Sequence, residues 1–386
     1  MSTETCPPPT QKTAAIIGGS LGGLAAAQAL HQNGWQVTVL ERAPQSMSHK
    51  GSGLGYVNVA AWESLCQRPM WRRGRRASRA QGSFYYGDLW AFLYDSLPPG
   101  TVQFGTTITE IGHEEENSQP ENDVSSKSSE TSLPVVLGKS YDLVIVANGG
   151  FSSLRRYVLE DQDVEPTYAG YIVWRGSIPV KKLPPSLEAQ VEEGVYKDGI
   201  YDTIVLKMAK DNGEDLWTFG TFIATPEEEV SRYWDKARDG VSRHGSHKKG
   251  EENTSTTSPE WFRQYFQRHF GQVPGLVPLV DATIESGELK PHPQFEFGNI
   301  DTVCRGRIIL LGDAAHMASP RTAVGAHTAI LDALALREAF RDTMSPSNDP
   351  SSASIEHAIS KYNPTGVQRA QELYWRSRQV SRQFVP

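Results

Sequence analysis

Two short stretches of the chain carry residue types whose spacing suits ligand chemistry. The first is Gly18-Gly19-Ser20-Leu21-Gly22-Gly23, with Glu41 following 23 residues after Gly18. Glycines at this spacing let a chain turn sharply and let its backbone come close to a pyrophosphate, and an acid about 20 residues on suits a ribose hydroxyl pair. The second slot of the G-x-G-x-x-G pattern holds Ser20, whose side chain slightly crowds the approach that a glycine permits. The second stretch is Gly312-Asp313-Ala314-Ala315-His316, followed by Pro320 and Gly325. Asp313 is placed to hold a sugar or ribityl hydroxyl, and a helix opening near Gly325 would aim N–H groups at a developing anion. Taken alone, Gly-Asp is a common turn.

The elements around these stretches must position them. Residues 14–17 are an apolar run of the buried parallel-strand kind, residues 24–30 are strong helix formers, and Asn33-Gly34 is a helix stop. Residues 35–40 read as a second strand, ending at Glu41 and Arg42. Strand, glycine turn, helix and strand make the start of a dinucleotide-binding βαβ unit, and leave open which dinucleotide it takes. Ser20 and Leu21 stand where the helix N-terminus offers its N–H groups and positive dipole end. A third apolar strand, residues 141–147, leads through Asn148-Gly149-Gly150 to Ser152 and Arg155. A last one, residues 307–311, precedes Gly312-Asp313, and residues 326–340 read as the helix after it, so the nucleotide domain is expected to close with a C-terminal piece.

Composition limits the partners. A chain of 386 residues is long enough for two domains or one large discontinuous one, and its 38% hydrophobic and 22% charged content is that of a soluble globular protein. A net charge of −7 argues against nucleic acid as a partner. Cys6, Cys66 and Cys304 lie far apart without metal-ligand spacing, so neither a disulfide framework nor a metal site is expected, and a reducing, cytoplasmic setting fits. Residues 1–12 are polar and proline-rich and read as a disordered tail; no apolar run nears the ~18 residues a membrane span needs. Nothing in the pattern fixes the oligomeric state.

The remaining segments carry less chemistry. Residues 51–55, rich in glycine, read as a flexible loop in preference to a backbone approach to a flat ligand. Residues 68–79 hold six arginines without periodicity, a phosphate-binding patch or, as the composition favours, a solvated segment. Leu89, Phe92, Leu93 and Leu97 share one helical face, and residues 101–111 read as strand. Residues 114–132 are acidic and serine-rich, an insertion between strands. From residue 166 to about 280 the texture is β-rich, notably at 170–178 and 215–223, with a charged surface loop at 243–258.

The GGSLGGL turn with Glu41-Arg42, the Asn148-Gly149 segment, and Gly312-Asp313 to His316 with Pro320 together resemble the FAD-dependent aromatic hydroxylases, the single-component flavoprotein monooxygenases. Residues 166–171, Pro-Thr-Tyr-Ala-Gly-Tyr, before Trp174-Arg175-Gly176 look most like the 2,6-dihydroxypyridine 3-monooxygenase and salicylate hydroxylase-like branch. The resemblance spans most of residues 13–340. It implies an α/β fold, with a Rossmann-like FAD-binding domain built on a parallel sheet and a smaller β-sheet substrate domain. The expected division is 13–165 for the first part of the FAD-binding domain, with 68–82 and 112–133 irregular, then 166–299 for the mainly β substrate domain, 300–340 for the closing part and 341–386 for a C-terminal helical tail.

The resemblance also implies roles. Gly18, Ser20, Leu21, Gly23, Glu41 and Arg42 would hold the ADP half of FAD, Asp313 the ribityl chain, and Pro320, Gly325 and Ala326 the isoalloxazine edge. Such enzymes reduce the flavin with NADH or NADPH, react it with O₂, and pass one oxygen from a flavin hydroperoxide to a small electron-rich aromatic of the phenol or hydroxypyridine type. The cofactor carries that chemistry while the protein orients the ring and excludes water. No universal side-chain base is implied; His316 and His327 are weak catalytic candidates, since a histidine at a helix start is more often a structural hydrogen-bonding group.

Three departures stand out against the family pattern. Asn148 takes the place of the usual Asp, Ala323 replaces a usual glycine, and only 34 residues separate Gly55 from Leu89, where relatives spend more and contribute strands to the substrate region. An active hydroxylase and a FAD-binding protein with lost or uncoupled activity are therefore both carried. An ordinary NAD dehydrogenase is disfavoured, because Gly312-Asp313 has no task there.

Overall fold

The apolar run at the start forms β1 (Thr13–Ile17), in which Ala14, Ala15 and Ile16 are fully buried. The computed structural model describes residues 11–48, 53–70, 81–114, 132–160, 165–199, 201–210, 213–231, 258–344 and 354–384. β1 lies between two parallel neighbours, β2 (Gln36–Glu41) and β9 (Leu143–Val146), with Ile17 level with Leu40 on one side and Val146 on the other. β5 (Val102–Phe104) extends the sheet beyond β2, and β16 (Ile308–Leu310) with β15 (Cys304–Arg305) extends it beyond β9, giving the order β15-β16-β9-β1-β2-β5. Every strand but β15 runs parallel, which explains why β9 is apolar on both faces.

Helix α1 (Leu21–Gln32) joins β1 to β2 and packs on α9 (Gly325–Ala339) and α4 (Tyr86–Tyr94). Its alanine-rich face lets these neighbours come close. Trp35 and Phe340 meet edge to face at 5.7 Å and close this core beneath the helices. The short α2 (Gln45–Ser48) and α3 (Val59–Cys66), capped by Asn58, follow β2 and β3 respectively. A three-stranded ribbon of β6 (Gly112–His113), β7 (Pro134–Val136) and β8 (Lys139–Ser140) sits apart from the main sheet.

The second sheet is antiparallel, ordered β11-β12-β13-β10-β14 from β11 (Gly194–Asp198), β12 (Tyr201–Ala209), β13 (Asp215–Ala224), β10 (Thr167–Pro179) and β14 (Lys290–Glu296). Helices α7 (Pro259–Phe270) and α8 (Leu276–Glu285) build its core. Ser258 caps α7, Pro259 opens it, and Phe262, Tyr265, Phe266 and Phe270 recur at helical spacing, so their rings reach Trp174 and Phe219; Trp174 and Phe262 stack at 4.8 Å. Two single-turn helices, α5 (Pro185–Glu188) and α6 (Glu227–Ser231), lie at its margins.

Several sequence expectations need correcting. The glycine-rich segment expected to be a loop enters β3 (Gly53–Asn58), which pairs antiparallel with β4 (Gln81–Tyr85), so residues 81–82 are strand and not irregular. A Cβ on Gly53 would meet the side chain of Met208 on β12, so this hairpin touches the antiparallel sheet. The strand expected over 101–111 ends at Phe104, because Gly105 takes φ 71° and turns the chain away. The expected helical tail is a 27-residue helix, α10 (Ile355–Ser381), with Tyr362, Gly366, Ala370, Leu373 and Ser377 buried along one face. Trp71 to Arg79, and nearly all of 114–132 and 243–258, lie outside the described residues. No described helix is long and apolar enough to cross a membrane.

Candidate functional site

A cavity of about 800 Å³ opens beyond the C-terminal ends of β1, β2, β9 and β16, the position where open parallel sheets take ligands. It falls within the usual size range of small-molecule sites. Gly18, Ser20 and Leu21 line one end, together with Glu41 and Arg42. Asp313, Pro320, Gly325 and Ala326 line the cavity too, as do Arg175 of β10 and Leu54 of β3. Among the described residues no group of three or more His, Cys, Asp or Glu is arranged to hold a metal ion.

The glycine turn follows from sterics. Gly18 has φ 109°, and a Cβ there would overlap the Ala147 carbonyl of the neighbouring strand end. Gly23 does not line the cavity: a Cβ on it would overlap the Gly18 carbonyl oxygen, so its task is to let α1 close onto the turn. Ser20 occupies the N-cap position of α1, but its hydroxyl makes no capping bond and no acid sits in the first turn. The positive end of the helix is therefore not offset by its own side chains. Glu41 reaches back to this turn, its Oε2 accepting from Gly19 N at 2.5 Å and its Oε1 from Ala43 N at 2.7 Å. A carboxylate has about four acceptor sites, so ribose contacts remain open to it. Trp90 of α4 donates to the Gly19 carbonyl at 2.8 Å and so holds the next peptide of the same turn.

Asp313 stands in a tight turn, residues 312–314, whose first residue Gly312 has φ 63°. Its side chain is exposed by area yet faces the enclosed cavity, and burial pushes its carboxyl above the ordinary range against the opposing charges of His316 and Arg155. Fully buried Arg155 staples this turn to the one after β9, donating to the carbonyls of Ala314 at 2.6 Å, Gly150 at 2.7 Å and Asp313 at 2.9 Å while lying 3.9 Å over the Phe297 ring. At the wall between them, Asn148 Oδ1 is buried without a hydrogen-bond partner among the described residues.

His316 points away from the cavity. Its Nε2 meets Asp332 Oδ2 at 2.6 Å, the same oxygen accepts from Gly312 N at 3.1 Å, and Asp332 Oδ1 accepts from Arg369 of α10 at 2.7 Å. Burial presses the imidazole toward its neutral form, but the charge and hydrogen bond of Asp332 and the charge of Asp313 outweigh it and raise its pKa. Burial likewise opposes ionisation of Asp332, and His316 with Arg369 overcomes it, so that pKa is lowered. His327, half-buried on α9, has its pKa lowered by burial and does not line the cavity either. Neither histidine is brought to the cavity; His316 instead belongs to a buried ionic group that holds the Gly312 turn in place.

The loop before α9 is clamped from two sides. The Tyr171 hydroxyl bonds Ser319 Oγ, and Ser319 N donates to Ser377 Oγ of α10 at 2.6 Å. Ser377 and Ser381 both donate to the buried Glu296 carboxylate at 2.6 Å, which Arg378 also reaches at 3.1 Å. On the other side Arg321 meets both Asp202 oxygens at 2.6 Å, with the rings of Phe222 and Phe384 within 4.9 and 5.3 Å. Ala323, in the place of a usual glycine, is held at φ 56°. The sequence reading missed Tyr86, Arg155, Asp332 and Arg321 because their partners lie 66, 158, 37 and 119 residues away.

The NAD(P)-binding Rossmann-like domain family matches residues 16–47, and the FAD binding domain family matches residues 182–349. The chain is 26% identical over 359 residues to 6-hydroxynicotinate 3-monooxygenase of Bordetella bronchiseptica, covering 85% of this chain and 82% of that protein. The solved structure of 2,6-dihydroxypyridine-3-hydroxylase from Arthrobacter nicotinovorans superposes with a TM-score of 0.69 at 19% identity over 97% of this chain and 93% of that one. The chain is similar to the FAD-dependent aromatic hydroxylases. Klebsiella pneumoniae HpxO, solved with FAD and uric acid, shares the fold with a TM-score of 0.66 at 20% identity over 96% of this chain and 88% of that one. The chain has the parallel sheet and separate antiparallel sheet that the similar structures share, and Asn148 and Ala323 are its departures from the resembled pattern on the cavity wall.

Proposed function

We propose that this chain is a FAD-dependent monooxygenase that uses NADH or NADPH and O₂ to hydroxylate a small electron-rich aromatic of the phenol or hydroxypyridine type. The observation that carries this reading is one cavity joining the glycine turn and Glu41 to Asp313 and to the loop ahead of α9. The uncapped end of α1 fits the anionic pyrophosphate of a dinucleotide, and the orphaned acceptor Asn148 Oδ1 fits one of its hydroxyl or N–H donors. Gly18, Ser20 and Leu21 would face its pyrophosphate, with Gly23 behind them closing α1 onto the turn. Glu41 and Arg42 would meet its ribose, Asp313 its ribityl chain, and Pro320, Gly325 and Ala326 the edge of its ring system. Once bound, the flavin supplies hydride acceptance from a nicotinamide and activation of O₂.

This chain's own residues bind, orient and shield. Arg175 projects from β10 into the cavity, half-buried and without a hydrogen bond or ion pair to a described residue. Burial lowers its pKa, with Tyr171 opposing, yet an arginine keeps its charge at neutral pH, so it suits an anionic ring substituent. The double clamp on Ser319 and Arg321 keeps the adjoining wall rigid, as orientation of a reacting ring requires. The purified protein is expected to be yellow, to hold FAD without a covalent link, and to oxidise NAD(P)H faster when a hydroxylated benzene or pyridine is added. Colourless protein that does not quench added FAD would overturn the reading.

A second reading, a FAD-binding protein whose hydroxylation is uncoupled, is favoured by the short span between Gly55 and Leu89, of which the described part is a single hairpin and α3. Less chain over the cavity admits more water. Hydrogen peroxide released per NAD(P)H consumed decides between them: near-stoichiometric hydroxylated product with any aromatic in a panel excludes the uncoupled reading.

A further inference from the structure

Helices α1 and α4 begin at the same place. Ser20, the N-cap residue of α1, and Tyr86, the first residue of α4, both line the cavity, and Ser20 Oγ lies 2.8 Å from the Tyr86 hydroxyl. An N-cap serine ordinarily turns its oxygen back onto the N–H groups of its own helix, but neither α1 nor α4 has a side-chain cap. One turn after Tyr86, Trp90 holds the Gly19 carbonyl, so α4 grips two successive residues of the glycine turn with two side chains of one face.

We propose that Ser20 and Tyr86 act as a paired-hydroxyl contact for the dinucleotide pyrophosphate. The proposal rests on the FAD reading given above. Two hydroxyls facing each other carry two protons, and their mutual hydrogen bond uses one. The second O–H is delivered to the cavity, where an anionic phosphate oxygen is a stronger acceptor than water or a neutral group. The phenol stays a donor, since burial raises its pKa and the charges of Glu41 and Asp313 raise it further, with only the Ser20 bond opposing. Among the described residues the arginines lining the cavity are Arg42, Arg156 and Arg175; none comes from α1 or α4, so these two helix starts offer an anion only neutral donors and their own N-termini.

The test is FAD titration by flavin fluorescence and ADP titration by calorimetry with Tyr86→Phe, Ser20→Ala, Ser20→Gly and the Tyr86→Phe/Ser20→Ala double variant. Each single variant is expected to weaken FAD and ADP by about tenfold or more, and the double variant to lose little beyond either single one, because the pair acts as a unit. Unchanged affinity in Tyr86→Phe and Ser20→Ala overturns the proposal. So does tighter binding by Ser20→Gly, which would make Ser20 a mere obstruction. Thermal melts of the apo forms report folding; if Tyr86→Phe does not fold, the two Ser20 variants still decide. Wild-type protein that binds ADP but not FAD would sink the cofactor reading while leaving the hydroxyl pair to be judged on ADP. Wild-type protein that binds neither overturns both.

Discussion

Replacing Asp332 by Asn keeps the side chain's shape and removes the charge at the centre of the buried group behind the Gly312 turn. The carboxylate, 2% exposed, receives His316 at 2.6 Å, Arg369 at 2.7 Å and Gly312 N at 3.1 Å. Taking away one member of a buried charged group strands the others, and the loss is expected to be on the order of 3–5 kcal/mol. The pH dependence carries a sign. His316 has a folded pKa above 6.5, so its contribution is complete below 6.5 and disappears as pH rises through the folded value. Asp332 has a folded pKa below 3.8, so its contribution is present above 3.8 and disappears as pH falls through the folded value. Urea unfolding of wild type and Asp332→Asn should therefore differ most between about pH 4 and 6.5, and the gap should narrow on the alkaline side, leaving the Arg369 contribution. A loss under about 1 kcal/mol at pH 5.5, or a gap that stays constant to high pH, would refute the assignment of His316 and Asp332 as a charged pair.

Gly23→Ala should destabilise the protein by about 1–3 kcal/mol or more and abolish FAD binding, since the added methyl meets a backbone carbonyl that no rotamer change can clear; a thermal melt and a FAD titration check both. Glu41→Ala and Asp313→Ala should each weaken FAD by on the order of 1.5–3 kcal/mol through lost charge-assisted bonds, and unchanged affinity in both would mean that the cofactor lies elsewhere. Glu296→Ala should leave Ser377, Ser381 and Arg378 without their common acceptor, costing about 3 kcal/mol in urea unfolding and making the 318–323 loop newly cleavable by protease.

The glycine turn and the Gly312-Asp313 turn were legible in the sequence because their constraints are local. A left-handed φ or a Cβ that would strike a carbonyl selects glycine wherever the rest of the chain goes, and a run such as residues 14–17 fits only a strand covered on both faces. The structural role expected more often of such a histidine had no visible partner: His316 stands beside the acid of the motif, but Asp332 lies 16 residues on, at no spacing that marks a pair. Tyr86 was hidden in a helix whose apolar face was plain, since nothing in residues 86–94 tells that their N-terminus meets that of α1. Arg155 was visible only as a residue after a strand, and its three carbonyl acceptors are set by how two distant turns approach each other.

The long helix α10 bears on the order in which the protein comes into being. A ribosome releases residues 355–384 after every element that this helix holds: Glu296 of β14, Ser319 of the cavity wall, and Asp332 on α9, which it reaches through Arg369. Domains form as the chain emerges, but here Glu296 waits with an unpaired carboxylate, and the wall beside Pro320 lacks its inner clamp, until the last helix docks. Phe384 then adds its ring to Tyr171 at 4.5 Å, sealing the antiparallel sheet from behind. The loop beside Pro320 and the Gly312 turn accordingly gain their α10 contacts only after synthesis has passed through that helix.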